Sequence, residues 1–270
     1  MREDALSLGW QTDLIFARFD AEVRDCGEHL LVRTPANPTF WWGNFLLFDR
    51  APRAGELADW MARFEGALPE ARHRAFGVDT REPFALPEDF AAAGFSLNEA
   101  TVLTLVPSQL RAAPKTLPDG FRFDVLRLPR DAAAVVDEQV AVDTQRYEPV
   151  GYRVFAERQI ARYGAMQDAG LGHWFGLWSD DAIAASCGLF RDPARGDGLG
   201  RFQYVSTHPR WRRRGLCTAL VHAVCRHGFE HMGLRTLVMV ADPADVAIGV
   251  YESVGFVRGT SAWQLERAPG

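Results

Sequence analysis

The chain has 270 residues, 47% of them hydrophobic, and 30 Lys and Arg against 35 Asp and Glu give a formal net charge of −5. That length suits one large domain or two of ordinary size, and the acidic balance argues against a general nucleic-acid binder, which shows as a basic domain. No apolar run approaches the ~20 residues of a membrane span, the opening MREDALSLGWQTDLIF lacks a signal-peptide core and cleavage site, and the four cysteines form neither a CxxC pair nor a zinc-ligand spacing.

We therefore expect a soluble, cytoplasmic protein with reduced thiols, no metal, and no nucleic-acid or membrane partner. In chain order, NPTFWWGNF (37–45) brings large aromatics in front of a strand at 44–49. They suit a core or interdomain contact, or the wall of a pocket between two halves. AGELADWMARFEGAL (54–68) is an amphipathic helix with Leu57, Trp60, Met61, Phe64 and Leu68 on one face. A strand at 73–78, a short helix opened by Pro87, the pair Gly94-Phe95 and a strand at 100–106 complete this half. Residues 107–120, PSQLRAAPKTLPDG, read as an interdomain linker.

The second half repeats the order. A strand is expected at 121–128, another at 201–206, a helix at 215–231, a buried strand at 234–241, a short helix at 246–253 closed by Gly255, and a strand at 261–266. Gly-Phe recurs as Gly255-Phe256. The repeated order points to internal duplication, with domains at 1–106 and 121–270.

The segment HPRWRRRGLCTAL (208–220) sets Arg210, Arg212, Arg213 and Arg214 at the mouth of a helix. A helix start offers backbone N–H groups and partial positive charge, and arginine in the first turn is unfavourable unless an anion offsets it. Gly215 permits close approach, and the guanidinium groups suit phosphate oxygens. A pyrophosphate is the expected anion; a solvated arginine face is the bland alternative.

Residues 207–220 resemble the acetyl-CoA pyrophosphate loop of the GNAT superfamily of N-acetyltransferases. Arg212 and Gly215 match the Arg/Gln-x-x-Gly-x-Gly/Ala pattern, and Cys217 stands where Gly or Ala is usual. Ala247–Phe256 (AIGVYESVGF) resembles the family's A-x-x-x-Y-x-x-x-G-F helix, with Ala244 where asparagine is frequent. The resemblance covers residues 120–270. It implies two GNAT-like α+β domains, each a mixed, mostly antiparallel sheet flanked by helices, and acetyl-CoA as co-substrate. The first half, whose loop 49–55 lacks the motif and whose helix carries Glu56 and Asp59, reads as degenerate.

The resemblance further implies that Val205, Ser206 and Thr207 line the pantetheine arm, that the loop from Arg212, Arg213, Arg214 and Gly215 to Leu216, Cys217 and Thr218 binds pyrophosphate, and that Tyr251 protonates the leaving thiolate. Phenol and thiol have comparable acidities, so that transfer is chemically sensible; the alternative is a core tyrosine. DTQRYEPVGY (143–152) falls between two predicted helices where the family builds its acceptor pocket. There Glu148 is the first candidate base and Asp143 the second, with Asp143, Tyr147 and Tyr152 shaping the pocket, against a solvated loop. His208 and His173 read as structural. The expected activity is acetyl transfer to a primary amine, of a small molecule or peptide, by a monomer or homodimer. The rivals are a coenzyme A sensor without catalysis, a patch for nucleic-acid phosphates, and a transferase for longer acyl groups.

Overall fold

The computed structural model describes residues 5–113, 117–143, 149–193 and 195–269. In chain order its elements are α1 (Leu8–Asp20), β1 (Glu22–Asp25), β2 (His29–Arg33), β3 (Phe45–Phe48), α2 (Leu57–Ala67), β4 (Arg74–Val78), α3 (Glu88–Ala92) and β5 (Ser96–Leu105). They continue with β6 (Arg122–Leu126), α4 (Ala132–Asp143), α5 (Pro149–Asp168), β7 (Gly172–Ser179), β8 (Ala182–Arg191), β9 (Leu199–Thr207), α6 (Leu216–His231), β10 (Thr236–Ala241), α7 (Ala247–Val254) and β11 (Val257–Arg267). The chain folds as two compact units: Met1–Val102 with Val240–Asp245 and Arg258–Gly270, and Leu103–Met239 with Val246–Val257.

In the first unit β1, β2 and β3 form an antiparallel meander, and α2 carries the chain into β4, which is parallel to β3. Trp60 and Phe64, one helical turn apart on α2, are both fully buried. Trp60 stacks on Phe48 with centroids 3.8 Å apart and meets Phe76 and Phe90 edge-on. Burial on this scale drives α2 onto the sheet.

The second unit has the same plan. β6, β7, β8 and β9 are antiparallel neighbours, and α6 leads into β10, parallel to β9. The α+β reading therefore holds, with each unit mixed and mostly antiparallel. The Gly-Phe pairs close the short helices alike. The Phe95 N–H donates to Phe90 O and the Phe256 N–H to Tyr251 O, each reaching back five residues as in a Schellman cap. Gly255 sits at φ 122°, and a Cβ there would collide with Gln109 O.

The compact units differ from the expected bounds in one respect. The expected second domain, 121–270, gives its last strand to the first unit, because β11 pairs antiparallel with β4, Trp263 opposite Val78 and Arg267 opposite Arg74. Within the stretch expected as a linker, the Arg111 N–H donates to Val254 O at 3.0 Å, and Arg111 O faces His222 Nε2 at 3.1 Å. Among the described residues, no helix is long and apolar enough to cross a membrane. None of the four cysteines is in a disulfide.

Candidate active site

The site is built on β9. Only its first residues pair with β10, Leu199 opposite Thr236, Gly200 opposite Leu237 and Arg201 opposite Val238. From Phe202 onward the two strands part. On its other edge β9 stays paired with β8, but the register slips: Ser186 faces Ser206 while Gly188 faces Gln203, so Tyr204 and Val205 oppose Cys187 alone. This bulge holds Tyr204 at φ 46°, a cost that chains accept where a strand must be re-aimed. The stretch Phe202–Thr207 thus turns one backbone edge away from β8, where an extended ligand can add as a strand does.

After Thr207 the chain makes a short 3-10 turn, Pro209–Trp211, pinned by buried Trp211, whose ring lies 4.8 Å from His208 and under the Arg210 guanidinium. The Arg212 Nε–H donates back to Thr207 O at 3.1 Å. Arg213 and Gly215 then take left-handed conformations, φ 62° and 77°, and α6 runs for 16 residues from Leu216. Arg212, Arg213, Arg214 and Gly215 are all exposed, and no atom lies within 4 Å of where a Gly215 Cβ would stand. Thr207 Oγ1 is buried with no hydrogen-bond partner. Exposed guanidinium groups, a helix N-terminus and open space above glycine fit a pyrophosphate.

Behind β9 lies Tyr251 on α7, only 4% exposed. Its ring meets Phe256, which packs edge-on against Phe202 at 5.9 Å. The expected phenol therefore stands two ring contacts from the point where β9 leaves β10.

Helix α4 runs antiparallel to β9, so Asp143 meets Tyr204 and Glu138 meets Ser206. Asp143 Oδ2 accepts from the Tyr152 hydroxyl at 2.7 Å and from the Tyr204 hydroxyl, and the two phenols lie 2.8 Å apart. Burial, then the bonds to Asp143 and Tyr152, push the Tyr204 phenol well above its usual range and keep it a donor. The structure brings the candidates Asp143 and Tyr152 together and adds Tyr204. Glu148 and Tyr147 lie outside the described residues. His208 braces Trp211, and His173 packs against Phe175 and His227.

Sequence reasoning missed Glu138. It is 2% exposed, and its Oε2 accepts from Ser206 Oγ at 2.9 Å and Ser186 Oγ at 3.2 Å. Oε1 is buried without a partner. Burial pushes this carboxyl up to about 8 against the downward pull of the two serines; Asp143 adds to the rise and Arg212 opposes it. The signal was present in AAAVVDEQVAVD: a glutamate on the face that also buries Val135 and Gln139.

The first unit treats the corresponding helix start differently. Asp89 Oδ2 accepts from the N–H groups of Gly55 and Leu57, and Glu56 accepts from the Arg53 N–H and forks onto Arg50 at 2.6 and 3.0 Å. The chain's own carboxylates fill the place where α6 is open. Among the described residues, no group of three or more His, Cys, Asp or Glu side chains is arranged to hold a metal ion.

Residues 134–256 match the model of the acetyltransferase (GNAT) family. No curated protein matches the sequence. Among solved structures, a conserved protein of unknown function from Staphylococcus epidermidis ATCC 12228 aligns with TM-score 0.74 at 13% identity, covering 93% of this chain and 96% of its own. A GCN5-related N-acetyltransferase from Kribbella flavida aligns with TM-score 0.65 at 16% identity, covering 96% and 94%. A tandem GNAT protein from the clavulanic acid biosynthesis pathway aligns with TM-score 0.59 at 16% identity, covering 99% and 94%. At these identities the likeness is one of fold. Residues 134–256 thus match the GNAT family of acetyltransferases, and the chain shares the fold of these structures along nearly its whole length.

Proposed function

We propose that the protein is an N-acetyltransferase that moves an acetyl group from acetyl-CoA directly to a primary amine of a small molecule or peptide in a ternary complex. The observation that carries this reading is the parting of β9 from β10 just before the arginine-rich start of α6. The backbone edge at Val205, Ser206 and Thr207 holds the pantetheine arm. The N–H groups from Arg213 through Leu216, Cys217 and Thr218, with the guanidinium groups of Arg212, Arg213 and Arg214, hold the pyrophosphate over Gly215. The bound thioester supplies an activated acetyl group.

The residues of this chain orient the reactants and move protons. Tyr251 donates its phenolic proton to the leaving sulfur. Asp143 and Tyr152 line the acceptor pocket, and the sequence suggests Tyr147 as a further acceptor contact and Glu148 as the proton acceptor. The bonds from Tyr152 and Tyr204 fix Asp143 in place, which suits a wall of the pocket better than a mobile base. The first unit binds no coenzyme A, because Asp89 and Glu56 occupy its helix start. The protein works in the cytoplasm as a monomer or homodimer.

Calorimetry with acetyl-CoA tests the reading. One site per chain is expected, and turnover of at least one amine in a library screen. Two sites would show that the first unit is competent. Binding without turnover on any amine would leave a coenzyme A sensor, and no binding would remove the cofactor assignment.

A further inference from the structure

The first two turns of α5 present an apolar face to solvent. Val150 is 72% exposed, Val154 46% and Phe155 43%. At about 100° per residue the three fall within about 140° of one another around the helix, with exposed Gly151 between them. Single apolar side chains on a surface are ordinary, but a contiguous group marks a place where something apolar rests. The helix itself does not call for valine at exposed positions, since a β-branched side chain is stiff there and ranks below Ala, Glu or Lys.

This face is continuous with the polar cluster at Asp143. Tyr152 lies on the next strip of the same helix, turned inward and 9% exposed. Its ring stands 6.0 Å from that of Phe155, three residues on. The Tyr152 hydroxyl donates to Asp143 Oδ2 and meets the Tyr204 hydroxyl, and Tyr204 directly precedes Val205 of the assigned pantetheine edge. Phe155 is therefore the step between the polar wall and the two valines. At the far end of the face, one turn beyond Val154, stands the exposed guanidinium of Arg158.

We propose that this face receives the apolar substituent of the acceptor, and that the acceptor is a primary alkyl- or arylalkylamine without a second positive charge. The proposal rests on the N-acetyltransferase reading. The nitrogen end lies at the cluster of Asp143, Tyr152 and Tyr204, and the chain leaves it along Phe155 and Val154. Each methylene laid on the face leaves water at a gain. An ether oxygen laid there loses its hydration without a partner. A second ammonium does so at greater cost and also meets the charge of Arg158. Phe155 is the residue that sets this preference.

The test is steady-state acetylation by the full chain, at saturating acetyl-CoA, of propylamine, butylamine, hexylamine, phenethylamine, methoxyethylamine and hexamethylenediamine. Calorimetric binding of propyl- and hexylammonium chloride to the coenzyme A complex gives a readout that does not need turnover. From propylamine to hexylamine kcat/KM should rise about tenfold, carried by KM. Phenethylamine should match hexylamine, methoxyethylamine should fall below butylamine, and the diamine should fall about tenfold below hexylamine. Phe155→Ala should flatten the series, with acetyl-CoA binding retained as the sign that the variant is folded, and Phe155→Leu should restore most of the slope. A flat series in the wild type, or a Phe155→Ala series as steep as the wild type, would overturn the proposal, while turnover of the amines leaves the transferase reading standing. If no amine turns over, that reading fails and the calorimetry decides: hexylammonium bound about tenfold more tightly than propylammonium, and no longer so in Phe155→Ala, upholds the face, and equal binding removes it. A dimer that Phe155→Ala dissociates in sedimentation would also overturn the proposal, by giving the face to a second copy of the chain.

Discussion

Glu138 makes the stability of the second unit depend on pH in a direction opposite to that of most carboxylates. Its folded value of about 8 stands above its ordinary 4.5, so between those values the folded chain binds more protons than the unfolded one. Stability is then fully present below the ordinary value and is lost as pH rises through the folded one. At about 1.4 kcal/mol per pH unit, the separation of 4.5 from about 8 comes to about 5 kcal/mol over the whole window. The part lying between pH 6 and 9 is about 3 kcal/mol. Glu138→Gln removes the titration and keeps the shape. The assay is urea unfolding at pH 6 and pH 9, followed by hydrogen exchange of the β8 and β9 amides, which reports opening of that unit. Wild type should lose about 3 kcal/mol more than Glu138→Gln between the two pH values, since the other groups titrate in both proteins and cancel. Equal losses would show that Glu138 is ionised in the folded state at neutral pH and would remove the reasoning.

Further outcomes follow from the same geometry. Gly215→Glu should still fold, since the space around its Cβ is open and the left-handed residue costs about 1–2 kcal/mol; its carboxylate should lower acetyl-CoA affinity at least about 100-fold by calorimetry, and retained affinity would move the pyrophosphate elsewhere. Tyr251→Phe should lower turnover about 100-fold, with acetyl-CoA affinity nearly unchanged; full activity in steady-state kinetics would make Tyr251 a packing residue. Tyr204→Phe removes one of the two phenol donors to Asp143 and should raise the amine KM with little change in kcat, at a stability cost of about 1–2 kcal/mol. Trp60→Ala, which deletes the ring stacked on Phe48, should cost the first unit about 3–5 kcal/mol in the same unfolding experiment.

What the sequence disclosed was local. The helices now numbered α2 and α6 carry strong apolar periodicity, and β10 is a continuous apolar run, so each was legible from its own residues. The loop from Arg212 to Gly215 was legible because its chemistry is packed into a few adjacent positions. Other elements carry weaker marks. β8, AIAASCGLFR, is buried almost throughout yet built from Ala, Ser, Cys and Gly, residues with little strand preference of their own. In α1, Thr12 turns its hydroxyl back onto Leu8 O at 2.7 Å inside the helix, and the segment's polar residues blur its stripe. Glu138 takes its partners from strands 48 and 68 residues away, a juxtaposition that no window of sequence contains. The pairing of β11 with β4 is hidden for the same reason: a strand's own pattern says that it has a buried face, not which neighbour it joins.

That pairing sets the order in which the molecule can be assembled. During synthesis β4 waits with a bare edge until Val257–Arg267 has left the ribosome, long after the residues of β6 to α6 have been made. An unpaired edge of buried residues such as Phe76 and Val78 is a template for aggregation, so nascent first-unit chains should be the clients of chaperones. It also fixes where the gene can be divided: a break within residues 107–120 strands β4 without its partner.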